Sequence, residues 1–451
     1  MRVLLLNPPE VDEIKATKSA HARNNLVTLG LLYLASHLRA DHDVKVVDMS
    51  LLEQTTSELP GIMDGFKPDI IGITSVITLW GTVLDLVRTA KYHAPDVVTV
   101  VGGANVSKYP AETLSHKDID YIVVGIGQKP MLELCNRLEK RERDFDIENC
   151  YVQGRDYPSF TTVYSEDCHI DNFPFPDRLA TPYDRYYASI SPENPTTSMI
   201  TSMGCPYKCA YCSSRLEQAF QLRKETRVVD EMAEIEQIGI KSILFQDDLF
   251  TIRLSRVKNI CEDIIRRGIK LNWSVKSRID SIRPEMLDVM QRAGCSNIHF
   301  GIESGNDSTL RRMKKGYDVK KVRESIKMVK ASGLQCTGNF MLAYPGEEEE
   351  DVLNTIEFAA ELDLNMTHFG ITYAMPMTEL FYEGVRAGRH SGKDPWSEFT
   401  RNPDKGEDLF RIYASNRFSN DQLNRFLEIA FSKNRTLFDL NKEKQACQSS
   451  G

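Results

Sequence analysis

The chain has 451 residues, enough for two or three domains. Its 41% hydrophobic and 27% charged residues give an ordinary soluble globular balance. The formal charge of −8 argues against a broad nucleic-acid-binding surface, which needs a basic face, and no apolar run approaches the roughly 20 residues that span a bilayer.

The chain opens with MRVLLLNPPE, one basic residue and a short apolar run that reads as a first strand. The run is too short for a signal-peptide core and has no small-residue cleavage site, so the protein is expected in the cytoplasm. Strands are expected over 2–7, 44–48, 69–74, 97–102 and 119–124, all apolar runs of the kind covered on both faces. Helices lie between them. One carries Leu31, Leu34, Ala35 and Leu38, another Val83, Leu86, Val87 and Ala90, at helical spacing. This alternation implies a doubly wound parallel sheet over residues 1–140. Residues 141–190 hold Pro158, Pro174, Pro176 and Pro182 with few periodic stretches, and read as a linker.

A second alternation follows. Strands are expected over 198–203, 242–246, 271–275, 297–302, 335–342 and 367–373. The intervening helices carry Val228, Met232 and Ile235, then Val257, Ile260, Cys261 and Ile264, then Val322, Ile326 and Val329. Gly294 and Gly333 stand where helices should end. Six strand–helix units over 191–375 are two short of a complete barrel, so a partial (β/α)6 barrel is expected. Residues 376–451 read as a helical region, with a helix near 421–431 and a polar tail expected to be disordered.

Seven of the ten cysteines are scattered and read as small buried hydrophobes. The other three fall in Cys205-Pro206-Tyr207-Lys208-Cys209-Ala210-Tyr211-Cys212, directly after a strand. Such a loop can wrap three thiolates around one face of an iron–sulfur cubane and leave its fourth iron open. The alternative is zinc, but structural zinc takes four ligands, and here only His169 lies nearby upstream.

CxxxCxxC after the first strand of a partial barrel resembles the signature of the radical S-adenosylmethionine (SAM) superfamily. The resemblance implies a [4Fe–4S] cluster on Cys205, Cys209 and Cys212. It implies SAM on the open iron and reductive cleavage to a 5′-deoxyadenosyl radical that abstracts hydrogen from a substrate. An external electron donor such as flavodoxin or ferredoxin would feed the cluster, and the protein would supply placement and exclusion of solvent. Tyr211, before the last cysteine, would pack near the adenine or simply be a core aromatic.

Ligands of a βα barrel bind at the C-terminal ends of its strands. Asp247-Asp248 ends one strand, either as a helix cap or as a contact to the SAM amino group, with Asp248 also a candidate catalytic group. Lys276 and Arg278 end the next and suit a carboxylate. Gly301-Ile302-Glu303-Ser304 resembles the GxES stretch of radical SAM enzymes fused to cobalamin-type domains. Lys315, twelve residues after Glu303, matches a basic position that meets the SAM carboxylate. Tyr344-Pro345-Gly346-Glu347 is similar to the family's PGE turn, with glycine allowing close backbone approach. Glu379, near Pro376 and Thr378, is a second catalytic candidate.

The first domain resembles the cobalamin (B12)-binding domain that precedes many such barrels. The matching stretches are Asn7-Pro8-Pro9, Leu29 to Leu34, Gly102-Gly103, and Gly125-Ile126-Gly127-Gln128. The glycines at 102, 103, 125 and 127 would let a corrin approach the backbone. No DxHxxG supplies an axial histidine; His21 and His116 read as loop residues. Where the family often has GGPHAT this chain has Gly102-Gly103-Ala104-Asn105-Val106-Ser107, and Gly125-Ile126-Gly127-Gln128 replaces GEGE. Either cobalamin binds and the reaction is C-methylation, or the domain is vestigial and the radical serves dehydration, epimerisation or cyclisation. A non-catalytic Fe–S or zinc module fits polar strand ends poorly. The substrate is expected to be a small metabolite, lipid or natural product, since no peptide-recognition domain is evident.

Overall fold

The computed structural model describes residues 1–10, 25–142, 145–160, 162, 169–188, 190–213, 220–389, 394–403, 414–415 and 417–434. The chain divides into two compact units. The first comprises Met1–Ala16, Val27–Arg185 and Lys393–Leu409, the second Thr17–Leu26, Tyr186–Gly392 and Phe410–Gly451.

In the first unit, β1 (Arg2–Asn7) is followed by α1 (Leu29–Leu38), β2 (Asp43–Asp48), α2 (Leu59–Phe66), β3 (Ile70–Thr74), α3 (Trp80–His93) and β4 (Val98–Gly102). Two short helices, α4 (Ala104–Lys108) and α5 (Pro110–Leu114), lead to β5 (Tyr121–Val123), α6 (Gln128–Glu139) and β6 (Cys150–Val152). The strand order is β2-β1-β3-β4-β5-β6. The first five are parallel, as their apolar runs require: Val3 to Leu6 and Ile70 to Ile73 are buried throughout. Strand order reverses between β1 and β3, where such folds open a crevice at the strand C-termini.

The stretch expected as a linker is built into this unit. β6 pairs antiparallel with β5, and Tyr151 packs edge-on against Tyr157 and Phe160, each at 4.9 Å. The Tyr157 hydroxyl accepts the Val152 N–H at 2.9 Å. Aromatic packing fixes the segment, which has no helix or strand period to reveal it. The region after the barrel is also divided. The helix Pro395–Arg401 belongs to the first unit, where the Thr400 carbonyl accepts Trp80 Nε1 at 2.8 Å and His116 Nε2 at 2.7 Å.

The second unit starts with β7 (Thr196–Met199), then a small antiparallel pair, β8 (Ser202–Met203) and β9 (Gln221–Leu222). There follow α7 (Glu225–Ile238), β10 (Ser242–Phe245), α8 (Leu254–Arg267), β11 (Asn272–Ser277), α9 (Pro284–Arg292) and β12 (Cys295–Glu303). Then come α10 (Asp307–Arg312), α11 (Val319–Ala331), β13 (Gln335–Leu342), α12 (Glu349–Glu361), β14 (Met366–Ile371), α13 (Glu379–Arg386) and α14 (Asn420–Lys433). The order β14-β13-β12-β11-β10-β7, parallel throughout, is the six-stranded partial barrel. Gly294 and Gly333 end their helices at φ 96° and 82°. The first strand ends at Met199 rather than 203, because the next residues turn out of the sheet to bond Asp247. The tail beyond 434 lies outside the described residues. Among those residues no helix is long and apolar enough to cross a membrane.

Alternation along the strands gives the sheet two unlike faces. Ile243, Phe245, Trp273, Val275, Ile298 and Phe300 make one buried and apolar. The opposite register row carries Ser274, Lys276, Asn297, His299, Thr337, Asn339 and His368. Trp273 anchors the apolar side: 1% exposed, it packs on Phe245 and Phe250 and donates Nε1 to the Ala293 carbonyl at 2.8 Å. Trp273→Ala should therefore cost about 3–5 kcal/mol, read as a lower denaturant midpoint for the second unit.

Candidate active site

The cysteine loop leaves β8 through Gly204, at φ 71°. Its path is pinned by backbone bonds. Ala210 donates to the Met313 carbonyl at 3.1 Å, Leu380 to that of Ala210 at 3.0 Å, and Cys212 to that of Cys209 at 3.2 Å. Cys209 is buried, while Cys205 and Cys212 are half-buried. Burial pushes the Cys205 thiol up, so ligation by a cation would have to offset that cost. Arg278 donates to Cys209 Sγ at 3.5 Å. Among the described residues no three ligating side chains converge on a single-ion position. One zinc would require that convergence; a cubane does not, because each cysteine holds a different iron. Three thiols on one constrained loop, Cys209 receiving a hydrogen bond from Arg278 and Cys205 one from the Tyr207 backbone, fit a [4Fe–4S] cluster.

Beside this loop, at the end of β12, four polar side chains cluster, Glu303 and Lys315 buried and Tyr211 and Tyr317 half-buried. Glu303 follows a bulge in the β12–β13 ladder and takes φ 74°, strained for a non-glycine residue. Its Oε1 accepts the Tyr211 hydroxyl at 2.8 Å and Lys315 Nζ at 3.3 Å. Lys315 Nζ also donates to the Tyr211 oxygen at 3.2 Å, and Tyr317 donates its hydroxyl to the Gly301 carbonyl at 2.7 Å. Burial works against the charge on Lys315, but Tyr211, Tyr317 and Glu303 outweigh it and raise its pKa well above the usual lysine value. Burial raises the Tyr211 hydroxyl too, and lifts Tyr317 to about 12. The cluster depends on Gly301, where a Cβ would lie 2.4 Å from Glu303 Oε1.

Other expected site residues have different surroundings. Asp247 is buried and accepts both the Thr201 N–H, at 2.5 Å, and the Thr201 hydroxyl; it fastens the end of β7. Asp248 is exposed beside it. Lys276 donates to Gln246 Oε1 at 2.8 Å; its side chain is solvent-accessible, yet the protein around its ammonium lowers its pKa. Arg278 spends its donors on protein acceptors, Asp280 above all. Ser304 bonds Thr355 at 3.2 Å and the Asn306 N–H at 3.1 Å. Glu347, pushed up to about 6 by burial, accepts Thr309 and the Tyr344 N–H, both at 2.9 Å. The Gly346 turn needs its φ of 85° more than close approach, since a Cβ would meet Arg312 only at 3.5 Å. Glu379 pairs with Lys314, its Oε2 at 2.7 Å.

The sequence reading missed Tyr317, Asp280, His299 and His368. Burial lowers His299 to about 3, with His368 and Lys276 adding to the effect, and its Nε2 has no partner among the described residues. Polar residues at every second position of β12 and β13 could have signalled this row.

In the first unit, the loop after β4 crosses the loop after β3. Gly103 takes φ 106°, and a Cβ there would lie 2.5 Å from the Ser75 carbonyl oxygen. The Ser75 hydroxyl and both polar atoms of the Asn105 side chain are buried and have no partner among the described residues. Each such group costs about 1–3 kcal/mol unless a ligand or water meets it. Gly125, at φ 72°, donates its N–H to Ser107 Oγ at 2.9 Å. Gly102 and Gly127 have only ordinary contacts at 3.5 Å or more for an added Cβ. The unpartnered groups fit a polar ligand at this edge. His116, expected as a solvated loop residue, is half-buried, held by Thr400 and packed on Trp80. His21 lies outside the described residues.

The family model of the radical SAM superfamily matches residues 199–359, and that of the B12 binding domain matches residues 19–135. The chain is 30% identical to an uncharacterized methyltransferase of Pyrococcus horikoshii over 439 residues, 96% of this chain and 92% of that one. It is 26% identical to the anaerobic magnesium-protoporphyrin IX monomethyl ester cyclase of Rubrivivax gelatinosus, over 85% of this chain and 70% of that one. The fold is that of TsrM from Kitasatospora setae, a radical S-adenosylmethionine methyltransferase. The TM-score is 0.68 at 20% identity, covering 86% of this chain and 76% of that one.

Gly301→Ala should push the Glu303 carboxylate off Lys315 and Tyr211. SAM binding is expected to weaken by about 10- to 150-fold, the worth of a charge-assisted hydrogen bond, with iron content unchanged. Equilibrium binding and iron analysis check this, with Lys315→Met as the companion variant.

Proposed function

Because the chain belongs to the radical SAM superfamily, with a B12-binding domain ahead of its barrel, we propose that it is a cobalamin-dependent methyltransferase acting at carbon on a small molecule. The observation that carries the cobalamin half of this reading is the buried, unpartnered pair Ser75 and Asn105 at the crevice edge of the first sheet. A domain kept only for packing would have no reason to bear that cost. With its groups bound, such an enzyme draws hydrogen-atom abstraction from the cluster and SAM, and a methyl group from cobalamin.

The chain's own residues divide the remaining work. Cys205, Cys209 and Cys212 hold iron. Lys315 offers a donor to the SAM carboxylate, Tyr211 its ring beside the adenine, and Glu303 an acceptor to the nucleoside. Asp247, already bonded to Thr201, sets the strand end rather than meeting the SAM amino group. Ser75 and Asn105 would hold the polar periphery of cobalamin, and neither His21 nor His116 would ligate it. Lys276, His299, Asn339 and His368 line the substrate side through the polar row of the barrel sheet. Reducing equivalents come from an external carrier of the flavodoxin or ferredoxin kind.

A second reading keeps the radical but not the methyl transfer. The Rubrivivax gelatinosus relative is named a cyclase, so ring formation is open to this scaffold.

The test is retention of cobalamin. Protein reconstituted anaerobically with hydroxocobalamin and dialysed is expected to keep about one equivalent, seen in its visible spectrum. Asn105→Leu and Ser75→Val should each lower retention by about tenfold or more, as loss of a buried hydrogen bond would. His116→Ala should leave the bound spectrum unchanged. Protein that keeps no cobalamin overturns the methyltransferase reading in favour of the cobalamin-independent one.

A further inference from the structure

Arg278, at the end of β11, is 7% exposed. A buried guanidinium is costly unless its N–H groups find acceptors. Nε and Nη2 donate to the two Asp280 oxygens, each at 2.9 Å, in the forked geometry that arginine alone provides. Nη2 also donates to the Lys315 carbonyl. Nη1 donates to Cys209 Sγ at 3.5 Å. The guanidinium carbon lies 3.7 Å from the ring centroid of Tyr207, which sits between Cys205 and Cys209 in the loop. One side chain thus grips the cysteine loop twice, through a ring face and through a sulfur. Four of its five N–H donor directions are used within the protein, so it has no fork left to offer a substrate or SAM carboxylate.

The arrangement has an electrostatic consequence. Reducing an iron–sulfur cluster adds one negative charge to it. Hydrogen bonds to its sulfurs and nearby cations stabilise the reduced form more than the oxidised one. We propose that Arg278 is a positioning residue of the iron–sulfur centre, holding the Cys209 corner and raising the reduction potential of the bound cluster, with Asp280 as the counter-charge that limits the rise. Cys209, the buried corner, is the one that receives a guanidinium; the hydrogen bond at Cys205 comes from the neutral Tyr207 backbone. The inference rests on the [4Fe–4S] reading of the three cysteines.

The experiment is a potentiometric titration of the reconstituted protein without SAM, followed by electron paramagnetic resonance, with iron and sulfide counted in each sample. Arg278→Met should make the midpoint more negative, by about tenfold in the one-electron equilibrium, or about 59 mV. Arg278→Lys should recover part of that shift. Asp280→Asn should move it the other way, because the guanidinium stays on Tyr207 and the Lys315 carbonyl but loses its counter-charge. A merely structural arginine would not give shifts of opposite sign. A wild-type midpoint in cluster-loaded Arg278→Met, or a lowered midpoint in Asp280→Asn, overturns the proposal. If Arg278→Met does not load iron, the sign of the Asp280→Asn shift decides alone. Wild-type protein that assembles no cluster would instead overturn the iron–sulfur reading, and this inference with it.

Discussion

Two cations buried beside three thiols are the constraint on which the head of the barrel depends. Arg278 and Lys315 are 7% and 4% exposed, and neither could stay charged there without partners. They are partnered through each other's neighbourhood. The Lys315 carbonyl accepts Arg278, while its ammonium pairs with Glu303 and Tyr211. Tyr211 belongs to the cysteine loop, and so does the Cys209 sulfur that Arg278 reaches. The turn at 313–315 receives the loop backbone as well, through Met313. Charge pairing and loop placement are therefore one problem with one solution. Removing either cation would leave an acidic group, Asp280 or Glu303, to be paid for in desolvation.

Much of this was legible in the sequence. Apolar runs and helical periods located the parallel strands of both sheets; those of the first, covered on both faces, have little freedom in composition. The cysteine spacing located the loop. Glu303 and Lys315 are each expected from the family resemblance, and a bulge and the short helix α10 between them bring the two within 3.3 Å. Three things were hidden for physical reasons. β6 is held by pairing with β5 and by aromatic packing, and the helix Pro395–Arg401 by hydrogen bonds to distant Trp80, His116 and Glu112, which leave no period in the chain. The target of Arg278 was hidden because a basic residue at a strand end looks the same whether it faces a ligand or a sulfur. The need at Ser75 and Asn105 was hidden because an unmet hydrogen bond is a property of the folded environment, not of residue type.

The two units contribute different chemistry, and each can be judged by itself. In the second, the polar row from Lys276 through His299 to His368 adjoins the charged cluster, since Gly301, in register with Asn339, faces Glu303 and Lys315. In the first, glycine freedom goes mainly into the Gly103 turn, beside which the buried polar groups of Ser75 and Asn105 have no partner among the described residues.

The central claim is that this constellation breaks SAM with one electron. The most direct measurement is chromatography of SAM products from iron-loaded protein reduced anaerobically with dithionite. The account predicts 5′-deoxyadenosine and methionine in equal amounts, dependent on the iron held by Cys205, Cys209 and Cys212. Protein with a full complement of iron that forms neither product, alone or with candidate substrates, would contradict it.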